Sequence, residues 1–311
     1  MSHVILLGGS GFVGSALANE LAGRGHRVTV TCRNPATRRS AQAGVDVRIV
    51  DPYNAEDLAS EFAGVDVVVN LIGILNEKGF GGAGFRRAHV EVTGNAIDAC
   101  RQAGVERYVQ MSALKAGEGT SHYLKTKGEA EALVRDSGLD WAIFQPSVIF
   151  GPADSFLNRF DQLLNLAPLV LPLARAGSRF QPVYVGDVAD AFAEVISRRE
   201  CGGETLALAG PGTYTLKALV QYIIQLTGRR TLVVGLPNWM SFLQAAALSL
   251  VPGKPFSLDN YRSLLLDSVA EHNALPALGI TPTPLEAVAP TYLGQSQRAG
   301  RFNEARRRAG R

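Results

Sequence analysis

The chain has 311 residues, 46% apolar and 19% charged, with 33 glycines and a formal net charge of +3. That length holds one large domain or two unequal ones, and the composition excludes a disordered, collagenous or coiled-coil body. Gln295 to Arg311 hold six Arg against one Glu, so residues 1–294 carry a net −2 and the basicity belongs to the tail. Cys32, Cys100 and Cys201 lie far apart with no C-x-x-C, and the five His lack ligand spacing. A disulfide framework and a zinc site are therefore not expected, and a reducing compartment is.

The first 145 residues alternate β-like runs with helical patterns. Strands are predicted at Val4–Leu7, Arg27–Cys32, Val45–Val50, Val67–Leu71, Tyr108–Met111 and Trp141–Phe144, and helices at 12–24, 54–63, 85–103 and 121–137. Runs apolar throughout, such as Val67-Val68-Val69, suit strands covered on both faces. Alternating β and α then gives an α/β, Rossmann-type, doubly wound parallel sheet. After Pro146 the pattern turns irregular and proline-punctuated. Three parts are expected: a dinucleotide-binding domain over 1–150, a smaller mixed substrate or docking portion over 151–294, and a basic, disordered tail over 295–311.

Gly8-Gly9-Ser10-Gly11-Phe12-Val13-Gly14 lies between the first strand and first helix. Gly8 permits the tight turn, Gly11 lets backbone N–H groups approach a pyrophosphate at the helix N-terminus, and Gly14 lets the helix pack close. Ser10, Phe12 and Val13, between the glycines, join them as cofactor-binding candidates. At the end of the second strand stand Thr31-Cys32-Arg33-Asn34, then Arg38 and Arg39, with no carboxylate. A guanidinium suits a 2′-phosphate, which favours NADP (NADPH) over NAD, with Arg33 the leading contact. Arg38 and Arg39 read equally as a solvated helix face. Asp51 is a candidate adenine contact. Asn70 and Gly73, ending the fourth strand, are placed under the dinucleotide, although Asn70 reads equally as a turn residue.

Tyr123 and Lys127 form Y-x-x-x-K, which puts both on one helix face. The ammonium favours phenolate and can hold a ribose, and the phenol can then act as acid or base toward a carbonyl or carbinol. Two exposed helix residues is the competing reading.

Taken together, Gly8–Gly14, Asn70–Gly73, Tyr123–Lys127, Pro146–Pro152 and Pro182–Ala189 resemble the extended or atypical branch of the short-chain dehydrogenase/reductase superfamily. Ser112-Ala113-Leu114, Ser155–Phe160 and Arg179–Val185 resemble, more narrowly, the group with the nucleotide-binding accessory subunit of respiratory complex I and its bacterial relatives. The resemblance implies Ser112 as the residue orienting a substrate oxygen beside Tyr123 and Lys127, unless the register puts Ala113 there, and Pro146 on the cofactor side. It also implies tight dinucleotide binding with an accessory role. Gln145 stands where the branch has Arg, and Glu91 where it often has Asn. Such departures fit retained binding beside eroded chemistry.

Trp239 to Val251 carries only Ser241, Gln244 and Ser249 as polar side chains, within about 140° on a helix. It reads as a core helix, as a lid over the substrate pocket, or as a docking face for a membrane or apolar partner. The Arg tail suits anionic lipid, an acidic partner or plain solubility, and nothing suggests specific nucleic-acid readout. The stretch from 231 to 253 is interrupted by Gly235, Pro237 and Pro252 and falls short of the roughly 20 residues that span a bilayer. The N-terminus lacks a signal-peptide pattern. The expected location is cytoplasmic, peripheral at the inner face of the membrane, and not secreted, with a protein partner at the respiratory membrane. The leading function is an NADP-binding accessory protein. The alternatives are an NADP-dependent reductase, epimerase or dehydratase, or an NADP-sensing regulator. The Gly-rich segment 79–84 reads as a flap or a flexible connection.

Overall fold

The computed structural model describes residues 1–33, 44–198 and 200–293. The Arg tail, together with Arg38 and Arg39, lies outside them. In chain order the first half forms β1 (His3–Leu7), α1 (Phe12–Gly23), β2 (Arg27–Cys32), β3 (Val45–Ile49), α2 (Ala55–Phe62), β4 (Val67–Asn70) and α3 (Ala83–Arg86). A π-helical turn (Arg87–Glu91), α4 (Val92–Ala103), β5 (Arg107–Met111), α5 (His122–Arg135) and β6 (Asp140–Pro146) follow. The second half forms β7 (Ile149–Phe150), α6 (Leu157–Leu166), β8 (Val170–Leu173), β9 (Arg179–Phe180), β10 (Val183–Tyr184), α7 (Val185–Ser197) and β11 (Glu204–Leu208). Then come β12 (Tyr214–Thr215), α8 (Leu216–Thr227), β13 (Leu232–Gly235), α9 (Asn238–Ser249), α10 (Leu258–Ser263) and α11 (Leu285–Tyr292).

A seven-stranded parallel sheet, ordered β11-β6-β5-β4-β1-β2-β3, forms the body. Successive side chains of β1 point to opposite faces. Val4 and Leu6 join a core with α1 and α7, whereas Ile5 and Leu7 join one with α2 and α4. All four are fully buried, which is why this strand reads as a continuous apolar run. The helix signals act locally: Asn54 accepts from the N–H groups of Glu56 and Asp57, and Gly104 ends α4 in the left-handed conformation.

The chain after residue 150 returns to this sheet. There α7 packs over the core beside α1, and β11 pairs with β6. The sheet therefore extends past the boundary expected at residue 150. The remaining elements build a third core from Phe150, Leu157, Leu171, Phe180, Leu216, Leu219 and Ile223, with three two-stranded sheets. This mixed portion stands over the carboxyl ends of the main strands. Leu7 pairs with Thr31 on one side and Asn70 on the other, so the segments after β1, β2 and β4 emerge side by side. The strand order reverses between β1 and β4, the point at which open α/β sheets bind ligands.

Candidate functional site

One cleft of ≈ 1320 Å³ runs along this edge and into the mixed portion. At one end lies the glycine loop. Gly8 takes φ +75°, where a side chain strains the backbone. A Cβ on Gly14 would stand 2.4 Å from Gly9 Cα, so α1 sits this close to the loop only because both residues are glycine. Gly11 caps α1 without a side chain, and its first helical bond runs from Ser15 N–H. The N–H groups of Phe12, Val13 and Gly14 find no acceptor among the described residues and line the cleft together with Gly8, Ser10 and Gly11. Free donors at a helix N-terminus form an anion-binding cradle.

The other sequence candidates divide. Thr31, Cys32 and Arg33 line the cleft, and Arg33 is exposed. Asp51 does not line it: its Oδ1 accepts from Tyr53 N–H at 3.1 Å, which tightens the turn before α2. Pro52 and Tyr53 line that wall instead, with the Arg87 guanidinium 4.2 Å from the Tyr53 ring centroid. Asn70 is also absent from the cleft. Its amide donates to Thr93 Oγ1 and Gln110 Oε1, both at 3.2 Å, and its carbonyl accepts from Ile72 N–H at 3.0 Å. Of the two readings, the turn residue matches this geometry. Gly73 and Pro146 both line the cleft.

Tyr123 and Lys127 face the cleft from α5, with Ser112 on the strand end beside them. The Lys127 ammonium is buried, donates to Met111 O at 3.0 Å, and has its pKa lowered to about 8 by desolvation, against an opposing pull from Glu131. Glu131 is itself engaged by Gln145 Nε2 and Arg135, both at 2.7 Å. Gln145, in the position of the family's Arg, is thus tied to α5 and points away from the cleft wall. Burial also pushes the Tyr123 phenol up to about 12. A neutral phenol donates a hydrogen bond and a proton, and it is poorly tuned as a base at neutral pH. Ser112 is 3% exposed, and its Oγ has no hydrogen-bond partner among the described residues. A buried hydroxyl left unpaired on a cleft wall is complementary to a ligand oxygen.

Sequence reading missed His89. It lies in the π-helical turn and is buried 5.5 Å from the Tyr123 ring, edge to face. Ile74 N–H donates to Nε2 at 3.2 Å, so the ring proton sits on Nδ1 and is donated to Thr126 Oγ1 at 2.8 Å. Desolvation and the neighbouring Lys127 charge lower its pKa to about 2. His89 is thus a neutral strut locking the Tyr123 face of α5. A wider π turn often marks a functional site, but its sequence signature is too weak to read.

The mixed portion supports the same helix. Asp259 accepts from His122 N–H at 2.6 Å and Tyr123 N–H at 3.1 Å, while the Ser121 hydroxyl caps Leu124 N–H. Asn260 donates to Leu75 O at 3.3 Å, and Lys254 stands 3.8 Å over the Phe80 ring while donating to Gly79 O. Glu77 accepts from Gly82 and Gly84 N–H at 2.7 and 2.8 Å. The Gly-rich segment is therefore clamped over the cleft, and neither of its open readings describes it fully.

The apolar helix is turned inside out. Ser241, Ala245 and Ser249 face inward, with Ser241 accepting from Arg175 N–H at 3.2 Å and Ser249 from Leu258 N–H at 3.0 Å. Gln244 and Leu248 form part of the cleft wall. Trp239, Phe242 and Leu243 point outward, 65%, 46% and 56% exposed, around a shallow hollow of ≈ 360 Å³. The core reading fails for the outer face, because small residues let the backbone approach and their hydroxyls find partners inside, while Gln244 and Leu248 on the cleft wall fit the lid reading. No helix among the described residues is long and apolar enough to cross a membrane.

Comparison with known proteins agrees with the cleft. A family model described as NAD(P)H-binding matches residues 8–154. The chain is 30% identical over 293 residues to the mitochondrial NADH dehydrogenase (ubiquinone) 1 alpha subcomplex subunit 9 of Rattus norvegicus, covering 90% of this chain and 77% of that protein. It is 28% identical to the Arabidopsis thaliana protein of the same name, covering 95% and 78%. Among solved structures it is similar to MoeE5 in complex with UDP-glucuronic acid and NAD, with a TM-score of 0.76 at 20% identity, covering 96% of this chain and 99% of that one. The last likeness shows the Rossmann-type fold alone. The cleft is that of a nicotinamide dinucleotide-binding domain, and the chain belongs to the family of the NADH dehydrogenase (ubiquinone) 1 alpha subcomplex subunit 9.

Proposed function

We propose that this protein is an accessory or assembly protein of a respiratory NADH dehydrogenase, holding NADP mainly as a structural element. The observation that carries the reading is α9, whose large apolar side chains face solvent while its small polar ones face the fold. Exposed apolar clusters of this kind are interaction sites. The relatives' names supply the partner class. The protein works at the inner, cytoplasmic face of the membrane, with the Arg tail attracted to anionic lipid or an acidic partner. Cofactor at 100 times its dissociation constant stabilises the fold by about 2.7 kcal/mol.

The NADP preference rests on Arg33 at the cleft and the lack of a carboxylate after β2. Arg33→Asp should weaken NADPH more than NADH. An equal loss of both refutes the 2′-phosphate contact.

A second reading, an NADP-dependent reductase, is favoured by one feature: Tyr123, Lys127 and the unpartnered Ser112 hydroxyl share the cleft wall. The cofactor, when bound, supplies a hydride donor. Tyr123 would donate its proton to a carbonyl oxygen oriented by Ser112, and Lys127 would hold the ribose. NADPH absorbance followed with quinones, aldehydes and nucleotide sugars separates the two. Turnover abolished by Tyr123→Phe refutes the accessory reading. Tight binding without turnover, unchanged by that substitution, refutes the reductase. Truncation at Gly294 should leave NADPH binding intact.

A further inference from the structure

The cleft is larger than one cofactor needs. At ≈ 1320 Å³ it exceeds the roughly 300–1,000 Å³ of a single small-molecule site. Its two ends differ in chemistry. The glycine-loop end offers free N–H groups and Arg33, whereas the end built by the mixed portion is mostly apolar, with Ser155, Gln244, Asn260, Ser263 and Ser268 as its neutral polar residues. There Phe156, just before α6, joins Phe160 and Leu163 of that helix, β8 contributes Leu171, and Leu248 and Leu264 close the wall. Among the described lining residues beyond 150, only Arg159 and Asp267 are charged. Both are engaged: Arg159 donates to Lys254 O at 3.2 Å, and Asp267 accepts from Arg179 at 2.8 Å. A diphosphate in this half would meet one guanidinium and a carboxylate, which is poor compensation for its charge. Two residues of the cleft lining carry buried oxygens without partners among the described residues, Ser112 Oγ and Asn76 Oδ1. A chamber with an apolar wall and a few unpaired polar atoms selects an apolar body with a single polar head.

We propose that this half of the cleft is a binding site for an apolar chain bearing one hydroxyl or carbonyl head, the head at Ser112 and the chain among Phe156, Leu163, Leu171, Leu248 and Leu264. The proposal rests on the reading that a dinucleotide fills the glycine-loop end. It names a ligand class for the remaining volume and excludes nucleotide sugars from it.

The test is a calorimetric titration of the NADPH-saturated, full-length protein with n-alkanols of 4 to 12 carbons and, separately, with UDP-glucose. Affinity should tighten by about fourfold per methylene, which converts to the ~0.8 kcal/mol of a buried methylene, until the chamber is full. Leu163→Arg and Leu248→Arg should each weaken decanol at least tenfold while NADPH affinity stays within twofold. Trp239→Ser, on the outer face of α9 and 65% exposed, should change neither. Affinity independent of chain length, UDP-glucose binding tighter than decanol, or loss of decanol binding in Trp239→Ser overturns the proposal. The same titration without nucleotide keeps the two readings distinct. A normal chain-length slope in a protein that does not bind NADPH refutes the cofactor assignment, whereas a flat slope beside tight NADPH refutes the chamber.

Discussion

The buried ammonium of Lys127 sets stability against cofactor binding, and Lys127→Met separates the two. Burial lowers the lysine's pKa from 10.5 to about 8. At about 1.4 kcal/mol per unit, the charged form is disfavoured in the folded protein by about 3 kcal/mol at pH 7. Methionine fills similar space without charge. It abandons the bond to Met111 O, at a cost of about 1–2 kcal/mol. The nucleotide-free variant should therefore be more stable than the wild type by about 1–2 kcal/mol at pH 7. The difference changes with pH in a defined way. Between the folded value of about 8 and the unfolded value of 10.5, the unfolded lysine binds a proton that the folded one has released. Wild-type stability then rises with pH, and the variant's lead narrows by about 1 kcal/mol from pH 8 to pH 9, since the folded lysine is still half protonated at pH 8. Cys100 and Cys201, both pushed up to about 12 by burial, titrate alike in the two proteins and cancel in the difference. Urea unfolding at pH 7, 8 and 9 reads the stability, and NADPH titration reads the lost ribose contact. A variant less stable than the wild type at pH 7, or a difference flat from pH 7 to 9, refutes the reasoning.

Three further substitutions test the supports of the site. His89 is neutral down to about pH 2 when folded but protonates near 6.5 when unfolded. Wild-type stability should thus fall below pH 6.5 by about 1.4 kcal/mol per unit relative to His89→Phe, and parallel urea profiles at pH 5 and 7 would contradict this. Gly14→Ala places a Cβ 2.4 Å from Gly9 Cα and should cost about 1–3 kcal/mol and most of the NADPH affinity. A wild-type dissociation constant would show that the loop yields freely. Asp259→Ala removes the acceptor for two α5 N–H groups and should cost about 0.5–2 kcal/mol, checked by the urea midpoint.

What the sequence made legible was the part governed by local rules. Val4 to Leu7, the glycines behind it and the runs that follow carry period and punctuation, and the observed strands match them to within two residues. Side-chain direction was not legible where two uses share one residue type. Asn70 ends a strand either way, and only the positions of Thr93 and Gln110 decide that its amide turns inward. His89 gave no signal because a lone histidine in a helical run carries no spacing. The apolar helix misled for a clearer reason. Hydropathy ranks its faces as apolar and polar, but burial of α9 followed side-chain size and hydrogen-bond supply, since Ser241 and Ser249 found partners inside.

The inverted helix and the cleft are joined by one short segment. Lys254 reaches the Gly-rich clamp, Asp259 holds the first turn of α5, and Asn260 holds Leu75. Those contacts fall on the cleft's mouth and on the helix bearing Tyr123 and Lys127. On the other side the segment runs directly out of α9, and Phe242 meets Tyr261 of α10 edge to face at 5.9 Å. If a ligand orders the cleft, these contacts would carry that order through the segment to the outer face. Coupling needs no large movement, because differential ordering of a shared element is enough. Occupancy of the cleft is then readable from outside the molecule, which an accessory protein requires and a simple reductase does not. If NADPH left the hydrogen-exchange protection of residues 238–263 unchanged while protecting the glycine loop, the two faces would be independent and this link would be refuted.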